Sequence, residues 1–264
     1  MKTPLKKGIY LLPNLLTSAS LFGGIFAIIS AIEGHFQLAA FAIFVAMLAD
    51  GLDGRVARLT HTESEFGAQY DSLSDMVAFG AAPGLILYIW QLNNLGNLGW
   101  IVTFVYIAAT ALRLARFNTQ LQVVSKRYFQ GLACPAAAAV VMSWVWLAVR
   151  LELEGWALLW ATGLLSLAVG LLMVSNIRYI SFKEVDFKHR IPLASALIMA
   201  VAIAVIMSNP PLLLFSLSLS YAASGPAVSL WQLRNIRKQR RTEPTTDEIA
   251  QPAEPIADSN PVEK

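Results

Sequence analysis

Four aspartates lie close together in the chain, at spacings that fit the faces of two helices. Asp50 and Asp53 are three positions apart, and Asp71 and Asp75 are four positions apart. Because residues three or four positions apart share one face of a helix, each pair forms an acidic stripe. If the two helices are antiparallel neighbours, the four carboxylates converge near one end of the pair.

Converging carboxylates repel one another and need compensation wherever water is partly excluded. A pair of divalent cations would supply it, and ligands that are all carboxylates select hard ions such as Mg²⁺ or Mn²⁺. Gly54 and Ala57 continue the first stripe and Gly67 belongs to the second, so a diphosphate could approach both backbones. Arg58 adds a fixed charge for phosphate oxygens. The alternative, a surface salt-bridge network with Arg55 and Arg58, leaves the small residues at these spacings unexplained.

Composition places these stripes in a membrane protein. The 264 residues are 56% hydrophobic and 14% charged, whereas soluble domains are about 45–50% apolar and about 25% charged. Since a spanning helix needs about 20 mostly apolar residues, the sequence predicts an all-α, polytopic membrane helical bundle with about eight transmembrane helices. The predicted spans are 12–33, 36–59, 72–92, 98–117, 132–150, 156–175, 191–208 and 211–231.

Basic residues predict the orientation of these spans. Lysines and arginines precede the first span, lie late in the second and fourth, and follow the sixth and eighth, whereas the other side has only Arg150. The positive-inside rule therefore predicts that both termini are cytoplasmic. The same rule also explains the net charge of +3, so this charge does not indicate nucleic-acid binding. We divide the chain into a transmembrane domain, 1–233, and a basic juxtamembrane segment with a disordered cytoplasmic tail, 234–264.

The aspartate stretch resembles the signature of the CDP-alcohol phosphatidyltransferase family, Asp-x2-Asp-Gly-x2-Ala-Arg-x8-Gly-x3-Asp-x3-Asp. Every specified position is present between residues 50 and 75. The resemblance implies transfer of a phosphatidyl group from a CDP-activated lipid to an alcohol, with two metal ions. It implies that Asp50, Asp53 and Asp71 bind one ion, and that Asp50, Asp71 and Asp75 bind the other.

The same resemblance implies further roles at the site. Asp75 would be the general base that takes the proton of the acceptor alcohol. The residues that would line the CDP and diphosphate site are Gly54, Ala57, Arg58 and Gly67. Near the N-terminus, Leu12–Thr17 resembles the start of the family's first helix, which implies nucleotide contacts for Asn14 and Thr17. The alternative is that Asn14 caps a helix and Thr17 is an ordinary internal hydroxyl.

Four further segments resemble the bacterial phosphatidylserine synthase branch of this family. They are residues 74–83, 111–118, 131–138 and 172–183, with one departure at Ala133, where the branch usually has proline. This resemblance implies CDP-diacylglycerol and L-serine as substrates, and phosphatidylserine and CMP as products. It also implies a homodimer in the lipid bilayer of the cell inner membrane.

Serine is a zwitterion, so its carboxylate needs a cation. Arg113 and Arg116 lie three positions apart near the cytoplasmic end of the fourth span, with Asn118 beside them. One arginine could bind the carboxylate through two hydrogen bonds. The alternatives are that these residues bind nucleotide phosphates or lipid headgroups, or act only as topology signals.

The sequence leaves other functions open. The same chemistry could use glycerol 3-phosphate, inositol phosphate or choline as the acceptor, although a phosphorylated acceptor would need more cationic charge. A divalent-cation carrier is a second possibility, because acidic residues in membrane spans also mark ion paths. The expected mechanism is metal-assisted in-line displacement; a two-step route through a phosphatidyl group on Asp71 is the alternative.

Overall fold

The computed structural model describes residues 11–120, 128–180 and 208–242, which are mostly helical. Its helices are α1 Leu11–Ile32, α2 Phe36–Thr60, α3 Glu65–Asp75, α4 Ala82–Trp90, α5 Asn97–Gln120, α6 Cys134–Arg150, α7 Trp156–Val174 and α8 Pro210–Thr242. A π-helical turn, Met76–Ala81, joins α3 to α4, and a 3-10 turn, Leu92–Leu95, precedes α5. Two short strands, β1 Tyr128–Gln130 and β2 Arg178–Ile180, complete the description.

The prediction of a polytopic helical bundle is confirmed. Within the described ranges, six helical segments are long and apolar enough to cross a membrane, and α6 is a shorter apolar helix. The third span begins at Glu65 rather than at position 72, because α3, the π-helical turn and α4 run on without a break. The predicted span 191–208 lies outside the described residues except for its last position, so the total of eight stays a prediction.

The chain divides into two compact units. The first extends to Pro226, and the second begins at Ala227. In the second unit the structure describes only the continuation of α8 to Thr242. The predicted tail beyond that residue lies outside the described part, and the predicted boundary at 233 remains a prediction.

Small residues allow the first helices to approach closely. A methyl group added to Gly24 would lie 2.7 Å from the Cα atom of Ala78, in the π-helical turn. One added to Gly80 would lie 2.9 Å from Cγ2 of Thr110, on α5. These glycines therefore support packing inside the chain, around the segment that directly follows Asp75.

Two prolines free helix carbonyls that tyrosine hydroxyls then satisfy. Proline has no N–H to donate to the carbonyl four residues earlier, and an unpaired carbonyl in a bilayer is costly. For Pro83 that carbonyl belongs to Phe79, which accepts a hydrogen bond from the Tyr106 hydroxyl at 3.1 Å. For Pro226 it belongs to Ala222, which accepts one from Tyr179 at 2.9 Å. The tyrosines thus compensate both prolines and tie neighbouring elements together.

Tyr179 therefore gives a stability prediction. Burial raises the pKa of Tyr179 to about 12, so its hydroxyl stays a donor at neutral pH. We expect Tyr179→Phe to lower the free energy of unfolding by about 1–3 kcal/mol, because the buried carbonyl of Ala222 loses its partner. Thermal unfolding can be followed with a thiol-reactive dye, since the single cysteine, Cys134, is completely buried. Tyr88→Phe is the matched control; equal melting temperatures for the two variants would contradict the prediction.

The strands form a small antiparallel ladder that the sequence did not predict. Phe129 pairs with Tyr179 at its centre. Gly131 follows β1 with φ +78, and a side chain there would collide with the carbonyl of Met173. Ala133 has φ −63, which is the value that a proline ring imposes. The departure from the family pattern at Ala133 therefore leaves the start of α6 in the conformation that proline would give.

Candidate active site

Three aspartates converge where α2 faces α3. Asp50 and Asp53 lie on α2, and Asp71 lies on α3. One carboxylate oxygen from each lies within 4.8 Å of the other two. Asp53 is the most buried of the three, at 5% exposure. The predicted convergence of the two acidic stripes is thus present for these residues.

Asp75 lies one turn further along α3, and its carboxyl group is within hydrogen-bonding reach of Asp50. Oδ1 of Asp71 and Oδ1 of Asp75 are both buried and have no hydrogen-bond partner among the described residues. Buried polar atoms normally have partners. An oxygen-only set with two such atoms fits a hard divalent cation.

Hydroxyl groups on α1 and α3 hold the acidic stripes in place. The Thr17 hydroxyl donates to Oδ2 of Asp53 at 2.7 Å and also lies 3.1 Å from the carbonyl of Pro13. The Ser74 hydroxyl, on α3, donates to the carbonyl of Thr17 at 3.0 Å. Residue Thr17 therefore connects α1 to both helices that carry aspartates.

The start of α3 is fixed in a similar way. Ser64 caps the helix, accepting a hydrogen bond from the backbone N–H of Gly67 at 3.0 Å. One turn later, the hydroxyl groups of Ser18 and Tyr70 are 2.8 Å apart and share a hydrogen bond. Both contacts fix the helix next to Asp71.

A cavity of about 240 Å³ opens beside the aspartates. It is lined by Pro13, Asn14, Thr17, Asp53, Gly54, Ala57, Arg58, Thr62, Glu63, Ser64, Gly67, Ala68 and Asp71. Every residue predicted to bind the CDP group is among them. The loop residues Thr62, Glu63 and Ser64 were not predicted, and their only signal in the sequence is their position between the two stripes.

The two glycines of the cavity differ in what they permit. A methyl group at Gly54 would meet only Nη1 of Arg58, at an ordinary 3.6 Å. At Gly67 it would lie 3.1 Å from Oγ of Ser64, which is tight. The tight contact with Ser64 is thus one reason for a glycine at position 67. No such contact requires a glycine at position 54, where the missing side chain leaves room for a group that approaches the backbone of α2.

The three residues predicted to bind serine do not converge. Nη1 of Arg113 donates to Sγ of Cys134 at 3.0 Å, and Nε of Arg113 is buried without a partner among the described residues. Its guanidinium group interacts electrostatically with Asp75. Arg113 is therefore next to the acidic stripes, on the side of α5 and α6. Cys134, its partner, was not predicted to have any role at the site.

Arg116 and Asn118 face other neighbours. Arg116 donates to the carbonyl of Val174 and to Oδ1 of Asn176, just beyond the end of α7. Asn118 exchanges hydrogen bonds with Ser72, on α3. Of the two arginines, Arg113 is therefore the one whose charge interacts with Asp75 in the described part of the chain.

The profile of the CDP-alcohol phosphatidyltransferase family matches residues 10–181, about two thirds of the chain. The chain belongs to this family. Curated relatives include the CDP-diacylglycerol–serine O-phosphatidyltransferase of Helicobacter pylori strain J99, 42% identical over 184 residues, which are 69% of this chain and 77% of the relative. The enzyme of that name from Mycobacterium bovis is 30% identical, over 82% of this chain and 77% of the relative. An archaetidylserine synthase of Methanothermobacter thermautotrophicus is 32% identical, over 64% and 69%.

The family match and the site geometry concern the same part of this CDP-alcohol phosphatidyltransferase. Residues 10–181 include all four aspartates, the whole cavity lining and Arg113. Helix α8 lies beyond the matched residues. Its N-terminal part is nevertheless bonded to them, because the Tyr179 hydroxyl donates a hydrogen bond to the carbonyl of Ala222.

Proposed function

We propose that this enzyme transfers the phosphatidyl group of CDP-diacylglycerol to L-serine, which gives phosphatidylserine and CMP. The convergence of Asp50, Asp53 and Asp71 beside a cavity is the observation that carries the donor chemistry. Serine as the acceptor is supported by the names of the relatives, which share serine although one of them is named for archaetidylserine.

The acidic stripes would hold two divalent cations, Mg²⁺ or Mn²⁺. Asp50, Asp53 and Asp71 would bind the first, and Asp50, Asp71 and Asp75 the second. The support is their carboxylate-only chemistry and the two unpartnered buried oxygens. When bound, such ions neutralise diphosphate charge and stabilise the departing CMP.

The chain's own residues bind and orient the reactants. The nucleotide part of the donor would occupy the cavity, with Arg58 directed at its phosphate oxygens and Gly54 leaving room at the backbone. Asp75 would take the proton of the acceptor hydroxyl as that oxygen attacks the β-phosphorus. The new bond joins the serine oxygen to phosphorus, the phosphorus–oxygen bond to CMP breaks, and its electron pair leaves with CMP.

Arg113 is the residue that we assign to the serine carboxylate. It is close enough to Asp75 to attract that carboxylate electrostatically, so an acceptor could place its hydroxyl at Asp75 and its carboxylate at the guanidinium group. The buried Nε atom remains available as a donor to that carboxylate. The hydrogen bonds of Arg116 and Asn118 to other helices favour positioning roles for them over serine binding.

An Arg113→Gln variant tests this assignment. We expect the KM for L-serine to rise about 10- to 100-fold, because a hydrogen bond to a charged group contributes about 1.5–3 kcal/mol. The measurement is CMP release against serine concentration at saturating CDP-diacylglycerol. Arg55→Gln, an exposed arginine on α2, is the control for loss of charge. An unchanged KM in Arg113→Gln would remove this residue from the acceptor site.

The proposed function is tested with purified protein in liposomes that contain CDP-diacylglycerol and Mn²⁺ or Mg²⁺. CMP release is followed with L-serine, glycerol 3-phosphate, inositol phosphate and choline in parallel. Release that depends on serine and on metal is the expected result. Release of CMP with a different alcohol alone would overturn the assignment of serine as the acceptor. If the folded protein releases no CMP with any of these alcohols, the result would favour a cation carrier.

We also place this enzyme in the cell inner membrane, with both termini cytoplasmic and as a homodimer. The distribution of lysine and arginine supports the orientation. Many large apolar side chains of the described helices are exposed, among them Phe22, Phe104 and Leu164, which suits both lipid and a second copy.

A further inference from the structure

The proposed site has two halves on different helices. The metal-binding carboxylates lie on α2 and α3, whereas Arg113 lies on α5. Two interactions relate α3 to α5 at the site: the hydrogen bonds between Ser72 and Asn118, and an electrostatic attraction between Asp75 and Arg113. From the first interaction to the second, α3 advances three residues and α5 goes back five. The two interactions are therefore about one to one and a half turns apart, in the order that antiparallel helices give.

The contact between Ser72 and Asn118 uses both polar atoms of the amide. Nδ2 of Asn118 donates to Oγ of Ser72 at 3.0 Å, and the Ser72 hydroxyl lies 3.2 Å from Oδ1 of Asn118. The same hydroxyl lies 3.1 Å from the carbonyl of Ala68, so its single proton is shared between two acceptors. Both side chains are half-buried. The amide of Asn118 is thus directed at α3 and engaged there.

Asp71 and Asp75 lie on α3, so a rotation of this helix about its axis would displace both carboxylates. Ser72 directly follows Asp71, so a contact at Ser72 restrains the helix next to this carboxylate. Ser18–Tyr70 and Ser74–Thr17 hold α3 against α1. The Ser72–Asn118 contact holds α3 against α5, which carries Arg113. It connects the metal-binding half of the site to the acceptor half.

We propose that Ser72 and Asn118 form a positioning pair that keeps Asp71 and Asp75 in register with Arg113, and that Asn118 is not a substrate ligand. This inference rests on the proposed function. A positioning pair acts through the helix, so both of its members must give the same kinetic defect. A direct serine ligand acts alone and chiefly changes the KM for serine.

The test compares Ser72→Ala, Asn118→Ala, the double variant and the exchange Ser72→Asn with Asn118→Ser. We expect each single variant to lower kcat about 10- to 100-fold, since small displacements of reacting groups have effects of this size. We also expect a shift of the Mn²⁺ activation curve to higher concentration, with the KM for serine changed less than about twofold. The double variant should be no worse than either single one, and the exchange should recover most of the activity.

Several outcomes would overturn the pair. A raised KM for serine in Asn118→Ala alone, or defects that multiply in the double variant, would make Asn118 an independent ligand. A lower melting temperature with unchanged kcat and Mn²⁺ activation would mean that the contact stabilises the fold and does not position the reacting groups. Thr119→Ala, next in sequence on α5, is the control, because among the described residues its hydroxyl donates to the carbonyl of Arg116, within its own helix.

Direct Mn²⁺ binding separates this inference from the proposed function. If the wild-type protein releases no CMP with serine, the proposed function fails. The pair is still tested by titrating Mn²⁺ into the same variants and following its paramagnetic resonance signal. Unchanged affinity in both Ala variants would then overturn the pair without reference to turnover.

Discussion

Asp71→Asn is expected to abolish metal-dependent CMP release, with a loss of about 1,000-fold or more. Asp71 belongs to both proposed ligand sets, and one of its oxygens is buried without a partner among the described residues. Metal ions contribute several kcal/mol of charge stabilisation in such reactions, and each 1.36 kcal/mol changes a rate tenfold. The asparagine keeps the size of the side chain but loses its charge and one of its acceptor oxygens.

The measurement for Asp71→Asn is CMP release across a Mn²⁺ titration, together with direct Mn²⁺ binding. Glu65→Gln is the matched control, because this exposed residue lies on the same helix and loses the same charge. The control should keep its metal activation curve. Near-normal turnover by Asp71→Asn, at unchanged metal concentrations, would contradict the assignment of Asp71 to the metal site.

Local periodicity explains why the acidic centre could be predicted from sequence. Asp50 and Asp53 share a helical face whatever the rest of the fold does, and so do Asp71 and Asp75. The short connection, residues 61–64, then returns α3 towards α2, and both helices pack against α1. The helical spans were predictable for a related reason, since a bilayer demands long apolar segments.

Contacts made by long side chains across the fold were not predictable. Arg113 and Arg116 begin on one stretch of α5, yet their guanidinium groups reach Cys134 on α6 and Asn176 beyond α7. Sequence spacing fixes where such a side chain starts, but the neighbouring helices decide where it ends. The partnership of Tyr179 with the carbonyl freed by Pro226 has the same origin, because the two residues are distant in sequence.

Asp75→Asn is expected to lower kcat about 10²- to 10⁴-fold, the range that a general base contributes. The reason differs from that for Asp71. Asp75 belongs only to the second proposed ligand set, so the first ion would keep Asp50, Asp53 and Asp71, whose carboxylates converge. We therefore expect Asp75→Asn to bind one Mn²⁺ ion with nearly unchanged affinity, whereas Asp71→Asn loses both ions.

The comparison of these two variants separates proton transfer from metal binding. If Asp75 is the base, Asp75→Glu should recover part of the rate, because a carboxylate is restored to the same turn of α3, whereas Asp75→Asn should not. Full turnover by Asp75→Asn would remove Asp75 from the base role and leave the proton to another group. Loss of both ions in Asp75→Asn would instead show that the two metal positions depend on each other. The surroundings of Asp75 support the base role, since its carboxyl group is within hydrogen-bonding reach of Asp50 and interacts electrostatically with the guanidinium group of Arg113. An acceptor held there by its carboxylate would present its hydroxyl to Asp75, at the junction of the two halves of the site.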